Sequence, residues 1–174
     1  SGISIRKLTF ISATVGIKVT NSSSVDITNN VFWLGGTAIS VESTSADIIN
    51  NTFYQNSVGV SFVTGTTVDI ENNIFYGSGT NTTAISSSAS ASVHQYNCFF
   101  NITAGQTDTA GSVTTDPTFV DPAAGDAGDF HLQSGSDCID AGNSAYTDNV
   151  DDTTADIGAY GGPNADTVPF IVSE

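Results

Sequence analysis

Apolar and polar residues alternate in short runs along the first hundred residues, and the runs repeat at a nearly constant interval. Five phenylalanines recur 22, 21, 22 and 24 residues apart: Phe10, Phe32, Phe53, Phe75 and Phe99. An isoleucine lies five positions before each of the first four: Ile5, Ile27, Ile48 and Ile70. Alternation with period two around these anchors predicts short strands with one buried face, and no stretch carries a sustained helical stripe.

Each repeat predicts about three short strands joined by turns, which is too little to bury its own apolar face. Repeats of this kind must therefore stack on one another. Stacking at about 4.8 Å brings equivalent residues of successive units into register and builds columns of like side chains. The phenylalanines are expected to form one such column in the interior.

A second column is predicted from the paired asparagines that precede each phenylalanine. The second member of each pair is expected at a corner between two strands: Asn30, Asn51, Asn73 and, in the fifth copy, Asn97. Asparagine tolerates the left-handed conformation that a tight corner requires, and its amide can bond the turn backbone and the asparagine above and below. We interpret these amides as architectural.

The repeat resembles that of the right-handed parallel β-helix proteins of the pectate-lyase-like superfamily, over residues 3–104. The stretches DPTFVDPAAGDAGDFHLQSGSDCIDAGN (116–143) and DIGAYGGP (156–163) look like the closing segment of secreted bacterial members. The resemblance implies an all-β fold, a right-handed parallel β-helix of ~22-residue coils in residues 1–104. Residues 105–174 are then an Asp- and Gly-rich tail that packs on its side within the same structural domain.

The ends of the chain carry a further expectation. The sequence opens inside a repeat, without the N-terminal cap that such folds usually carry, so upstream coils or a partner subunit are expected to cover the first coil. An apolar, strand-like segment, VPFIV, occupies 168–172. Because an unpaired solenoid end is a template for strand pairing, self-stacking into a filament is one hypothesis.

The composition limits the kinds of partner that the chain is expected to bind. The formal charge is −15, from 18 acids against three bases, which disfavours nucleic acid and an anionic membrane. No apolar run is long enough to enter a bilayer. The hydroxyl-rich, acidic chain has the composition of an extracellular or cell-surface protein, and an even cysteine pair in such a chain, Cys98 and Cys138, predicts one disulfide; two buried free thiols are the alternative.

Three aspartates, each six residues before its phenylalanine, predict an outward-facing acidic ladder: Asp26, Asp47 and Asp69. Carboxylates at coil spacing repel one another, which would raise their pKa values or recruit a cation such as Ca²⁺. The alternative is a solvated polar face that keeps the strands soluble. Lyase chemistry would also need a cation beside them, and all three bases lie in the first coil.

An outward aromatic stripe is predicted directly after the inward phenylalanines: Trp33, Tyr54, Tyr76 and Phe100. Such a stripe could bind sugar rings or a partner surface. The alternative is that the tail folds back over this face and buries it, with Cys138 stapling the tail to Cys98 on the same side.

Aspartates in the tail suggest a calcium site built from oxygen ligands: Asp148, Asp151, Asp152 and Asp156. No established calcium-loop spacing is present. The alternative is aspartate at turns, where the side chain bonds the local backbone.

No nucleophile elbow, zinc-protease motif or phosphate loop occurs in the sequence. The leading hypothesis is therefore a non-catalytic extracellular module for adhesion, assembly or carbohydrate contact. The alternative is a fragment of a polysaccharide lyase, glycoside hydrolase or epimerase whose active residues lie mainly in upstream coils, and the filament-forming subunit is a third hypothesis.

Overall fold

The computed structural model describes residues 2–21, 24–42, 45–63, 65–87, 92–123 and 128–165, and the backbone alone of 170–173. The strands of these residues, in chain order, are β1 (Ile3–Arg6), β2 (Leu8–Ile11), β3 (Val15–Val19), β4 (Val25–Thr28), β5 (Val31–Trp33), β6 (Thr37–Val41), β7 (Ser45–Ile49), β8 (Thr52–Tyr54), β9 (Val58–Phe62), β10 (Thr67–Glu71), β11 (Ile74–Tyr76), β12 (Thr83–Ser87), β13 (His94–Gln95), β14 (Cys98–Phe100), β15 (Phe119–Asp121), β16 (Asp129–Leu132) and β17 (Phe170–Ser173).

Three parallel sheets run along the molecule, and each of the first four coils contributes one strand to each of them, while the fifth contributes β13 and β14 to two. Sheet A has the strand order β1-β4-β7-β10-β13, sheet B has β14-β11-β8-β5-β2-β17, and sheet C has β12-β9-β6-β3. The chain therefore winds as a parallel β-solenoid, as the repeat predicts. The tail adds one antiparallel hairpin, β15–β16.

Side chains of like kind stack through the interior because the strands pair in register. Phe10, Phe32, Phe53 and Phe75 occupy paired positions of sheet B, and their ring centroids lie 4.7–5.1 Å apart at interplanar angles of 5–9°. Small residues of sheet C make room for these rings. A Cβ added at Gly59 would lie 2.6 Å from the ring of Phe75, which is closer than atoms can pack.

The inner asparagines form a hydrogen-bonded column at the corner between sheets A and B. The backbone N–H of Asn30 donates to Oδ1 of Asn51 at 3.0 Å, and Asn51 donates likewise to Asn73 at 2.9 Å. The column ends at the carboxylate of Asp108, which accepts from the backbone N–H and the amide of Asn97 at 2.8 and 2.7 Å. Asp108 thus takes the position that another asparagine would occupy.

The conformation of this corner corrects one detail of the sequence interpretation. The left-handed residue is the first member of each pair, with φ of 56° at Asn29, 53° at Asn50 and 56° at Asn72. The equivalent positions in the first and last coils are Lys7 and Tyr96, with φ of 60° and 54°. The second asparagine does not take the left-handed conformation, and it bonds to the neighbouring coils.

The tail packs along the outer face of sheet B and returns toward the first coil. Phe119 and Phe130 of the hairpin lie against the outward aromatic residues of that sheet. Farther along, Asn164 accepts a hydrogen bond from Arg6 of β1 at 3.2 Å. Strand β17 then pairs in parallel with β2, opposite the side of β2 that pairs with β5.

This last pairing bears on the segment VPFIV, of which residues 168 and 169 lie outside the described residues. The strand that begins at Phe170 joins sheet B of its own chain. Strands β1 and β3 are the terminal strands of sheets A and C. Coverage of the first coil by a partner and self-stacking both stay predictions.

Candidate functional site

The outer face of sheet A carries the predicted aspartate ladder. Asp26 pairs with Asp47, and Asp47 with Asp69, in adjoining strands. Asp26 is exposed and the other two are half-buried. Burial raises the pKa of Asp47, and the charges of Asp69, Asp26 and Glu71 raise this pKa further. The middle carboxyl of the row therefore holds its proton more tightly than an ordinary aspartate.

Glu71 lies beside the row, two positions after Asp69 on β10, and is only 8% exposed. Its Oε1 accepts a hydrogen bond from Nε2 of Gln95 at 2.7 Å, and its Oε2 accepts one from Nδ2 of Asn143 at 3.1 Å. Asn143 belongs to the tail, so the tail helps to shape this face. A carboxylate held by two amides is fixed in orientation.

Tyr146 of the tail lies near the same carboxylates. Burial raises the pKa of Tyr146, followed by the charges of Glu71, Asp47 and Asp69. The phenol of Tyr146 is therefore close enough to all three carboxylates for their charges to affect it. The face therefore combines carboxylates, amides and one aromatic ring on rigid parallel strands, and we call Asp26, Asp47, Asp69, Glu71, Gln95, Asn143 and Tyr146 the sheet A site.

One cation, Arg6, lies on β1, the strand that pairs with the strand of Asp26, and the other two lie outside sheet A. Arg6 is three strands from Glu71 in sheet A and donates a hydrogen bond to Asn164. Lys18 forms an ion pair with Glu42 at 3.0 Å beside sheet C. Lys7 lies at the corner between β1 and β2. In the described residues no group of three or more His, Cys, Asp or Glu side chains is arranged to hold a metal ion.

A second set of residues, which sequence reasoning missed, is the row of first asparagines. Their side chains hold the tail: Nδ2 of Asn29 donates to the carbonyls of Ala159 and Gly161 at 3.0 and 2.8 Å, and Nδ2 of Asn50 donates to those of Asp156 and Gly158 at 2.8 and 3.2 Å. The sequence does contain a signal for the first asparagines. Both members of each pair repeat, and the inner column uses only the second member.

The third member of this row reaches a different part of the tail. Oδ1 of Asn72 accepts from the backbone N–H of Asn143 at 2.8 Å, and the carbonyl of Asn72 accepts from Gly158 at 2.8 Å. This contact sets Asn143 beside Glu71. The row of first asparagines therefore positions the tail that completes the sheet A site.

The sequence of these coils matches a known protein family. A family model described as "Right handed beta helix region" matches residues 1–149. The chain belongs to the right-handed β-helix family. Comparisons with curated proteins and with solved structures gave no match. The narrower likeness to the pectate-lyase-like branch stays a prediction.

The outward aromatic stripe of this β-helix is covered by its tail. Phe130 packs against Trp33 and Tyr54 with ring centroids 6.1 and 5.2 Å away, and Phe119 packs against Tyr54 and Tyr76 at 6.1 and 5.9 Å. Trp33 is 9% exposed. The tail therefore occupies the surface that a sugar would need over Trp33, Tyr54 and Tyr76, and the fourth member of the stripe, Phe100, packs against Tyr76.

The predicted disulfide is absent, and this is a correction. Cys98 and Cys138 are both fully buried free thiols. They are nevertheless neighbours: a hydrogen bond to Cys138 and then burial raise the pKa of the Cys98 thiol. The tail is therefore held at this point by packing and a thiol–thiol contact. A thiol with a raised pKa is a poor nucleophile.

The tail aspartates proposed as calcium ligands bond the local backbone. Asp148 accepts from the N–H groups of Asp156 and Gly162, and Oδ1 of Asp151 accepts from the N–H of Thr153 at 3.1 Å. Asp152 is the left-handed residue of the same turn, with φ of 63°. These contacts are those of aspartates at turns, the alternative given above, and calcium binding by the β-helix stays a prediction.

Burial dominates the charge behaviour of this turn. It raises the pKa of Asp156 to about 6, although the N–H of Asp140 stabilises the ionised form. It also raises the pKa of Asp148.

No helix in the described part of the chain has the length and apolar character needed to cross a membrane.

Proposed function

We propose that this β-helix is a non-catalytic extracellular module that binds a neutral polysaccharide on the sheet A site. The observation that carries the proposal is the in-register row of Asp26, Asp47 and Asp69, flanked by Glu71 and Tyr146. The acidic, hydroxyl-rich composition supports the extracellular setting.

The chemistry of the site suits sugar hydroxyls. Carboxylates accept hydrogen bonds from hydroxyl groups, and a tyrosine ring can pack against the apolar face of a sugar. The row repeats at coil spacing, so a chain of repeating sugar units would meet the same acceptors along its length. An acidic polysaccharide would be repelled by the carboxylates of Asp47, Asp69 and Glu71, which favours a neutral one.

The proposal is tested by screening the chain against immobilised neutral and acidic glycans and measuring affinity for any hit by calorimetry. We expect binding of neutral glycans without turnover. Asp47→Asn should weaken binding about tenfold, since it changes one charged acceptor. Asp121→Asn, an exposed position of the hairpin, is the matched control.

Loss of binding in Asp47→Asn would not reflect unfolding. The pKa of Asp47 is raised in the folded state, so ionisation of this group opposes folding, and its removal should leave stability equal or higher. Absence of glycan binding, or equal binding by Asp47→Asn and the native chain, would refute the proposal.

One observation favours a second candidate, a glycan-cleaving enzyme. A carboxyl with a raised pKa, as at Asp47, beside a second carboxylate, as at Asp69, is the division of labour that glycoside hydrolysis uses. New reducing ends released from a neutral polysaccharide, and their loss in Asp47→Asn, would replace the binding function with catalysis.

A further inference from the structure

The last coil is closed by one irregular segment, residues 103–113, which we call the end strap. The strap exchanges backbone hydrogen bonds with the last strand of each sheet. In the following pairs the first residue donates its N–H to the carbonyl of the second: Ala84 to Ala104 at 2.9 Å for β12, Thr109 to His94 at 2.8 Å for β13, and Phe99 to Val113 at 2.9 Å for β14. The strap therefore satisfies strand edges that would otherwise lack partners.

The strap is held mainly by hydrogen bonds and buries little apolar surface. Most of it is exposed, and only Gly105, Asp108 and Val113 are half-buried. Asp108 is its one charged residue and accepts from the backbone N–H and the amide of Asn97. A segment with few buried apolar contacts opens at a lower free energy than a packed core. The strap can therefore open while the coils stay folded.

His94 links the strap to the interior of the last coil. It pairs with the buried Ile70 of the preceding coil, is 8% exposed, and packs edge-on against Phe62 with ring centroids 5.9 Å apart. Its Nδ1 lies 2.6 Å from Oγ1 of Thr107 in the strap. Its Nε2 is buried, and no atom of the described residues hydrogen-bonds to it. One ring nitrogen therefore contacts the strap and the other lies in the interior.

The closed strap disfavours the protonated form of this ring. An imidazolium donates from both nitrogens, and a buried Nε2–H without an acceptor costs free energy. Burial lowers the pKa of His94, although the charges of Asp108 in the strap and Asp69 in β10 act in the opposite direction. Burial also raises the pKa of Asp108, so protonation of that carboxyl does not favour the open state. An open strap lets water reach the ring and solvate its charge.

We propose that the end strap is a pH-sensitive closure, which protonation of His94 in mildly acidic solution releases from the last coil. Opening separates the ring from Thr107 and hydrates the imidazolium. The outer edges of β12, β13 and β14 then lose their partners and become able to pair with another strand. This closure does not depend on what the sheet A site binds.

The test is amide hydrogen exchange of the full chain at a series of pH values, corrected for the intrinsic exchange rate at each pH. Between about pH 7.5 and about pH 5, protection at Ala84, Phe99 and Thr109 should fall about tenfold. The limit is roughly 30-fold, for a ring that takes a proton only when the strap is open. At every pH these amides should exchange faster than that of Thr52, which bonds to Asn30 in the middle coils.

Two variants assign the effect to one histidine. His94→Ile places at this position the residue that earlier coils carry, and it should abolish the pH dependence of strap protection. His131→Gln removes the other histidine and should leave this dependence intact. Unchanged protection across the pH series, a dependence that persists in His94→Ile, or one that disappears in His131→Gln would overturn the proposal.

The native chain gives a further result that needs no variant. The fall in protection should begin near the ordinary histidine pKa of 6.5 and follow the uptake of one proton. A fall that begins only near pH ~4, where aspartate titrates, would overturn the proposal. Exchange at the strap amides as slow as at Thr52 would also overturn it, because the strap would then open only with the coils.

Discussion

Replacing Asn51 by alanine removes the middle of the inner asparagine column. Its side chain is fully buried. Oδ1 accepts from the backbone N–H and from the amide of Asn30, both at 3.0 Å. Nδ2 donates to the carbonyls of Ile27 and Ile49 at 2.8 and 3.1 Å and to Oδ1 of Asn73 at 3.1 Å. One substitution therefore breaks contacts to the coils on both sides.

The magnitude follows from the groups left without partners. The buried N–H of Asn30 loses its acceptor, which costs about 1–3 kcal/mol. Loss of the hydrogen bonds to the two carbonyls adds about 1 kcal/mol each. We therefore expect Asn51→Ala to lower the free energy of unfolding by about 3–5 kcal/mol.

Urea denaturation followed by circular dichroism measures this change. Asn149→Ala is the control, because Asn149 is exposed and a surface change of this kind is expected within about 0.5 kcal/mol. A loss below about 1 kcal/mol for Asn51→Ala would refute the reasoning that the column is a satisfied, cross-coil network.

Three further predictions concern the tail and the last coil. Asn50→Gly keeps the left-handed backbone but removes the bonds to the tail, so amide exchange should rise in residues 140–162 while the coils stay protected, and an unchanged pattern would contradict this role. Phe130→Ala should expose Trp33 and shift its fluorescence to the red, with a loss of about 3–5 kcal/mol; unshifted emission would argue against the covered stripe. Burial lowers the pKa of His94 below the ordinary histidine value of 6.5, so the folded state is fully stable above that pH and loses stability as the pH falls below it. His94→Ile should remove this part of the pH dependence of the urea midpoint, and identical pH profiles of the two proteins would refute this role.

The repeated part of the fold could be predicted because its physics is local and periodic. Phe32 and Phe53 lie one coil apart in sequence and stack in space, since parallel strands in register bring equivalent positions together. The same logic placed Asp47 between Asp26 and Asp69. Wherever a side chain meets its own counterpart in the next coil, spacing alone predicts the contact.

The contacts of the tail could not be predicted in this way. Asn143 and Tyr146 reach the sheet A site from 72 and 75 positions beyond Glu71, and no periodicity links them to it. The same applies to the cysteine pair, where sequence parity indicated a bond and the structure has two buried thiols. Non-repeating segments are positioned by tertiary contacts that single-sequence patterns do not contain.

The first asparagines show how a repeat can be interpreted too narrowly. Asn50 recurs in three coils and Asn51 in four, yet the predicted inner column accounts only for the row of Asn51. In the structure the two point to opposite sides of the corner: Asn51 bonds to the next coils and Asn50 bonds to the tail. Every repeated polar residue therefore needs its own partner in the account.

The most direct test of the proposed function maps a bound glycan onto the protein. Once a neutral oligosaccharide is found to bind, amide and side-chain NMR of the full chain is recorded with and without it. Binding on the sheet A site should give the largest shifts at Asp47, Asp69, Gln95 and Tyr146, with sheet C unchanged. Shifts confined to sheet C or to the β15–β16 hairpin, with the sheet A site unchanged, would contradict it.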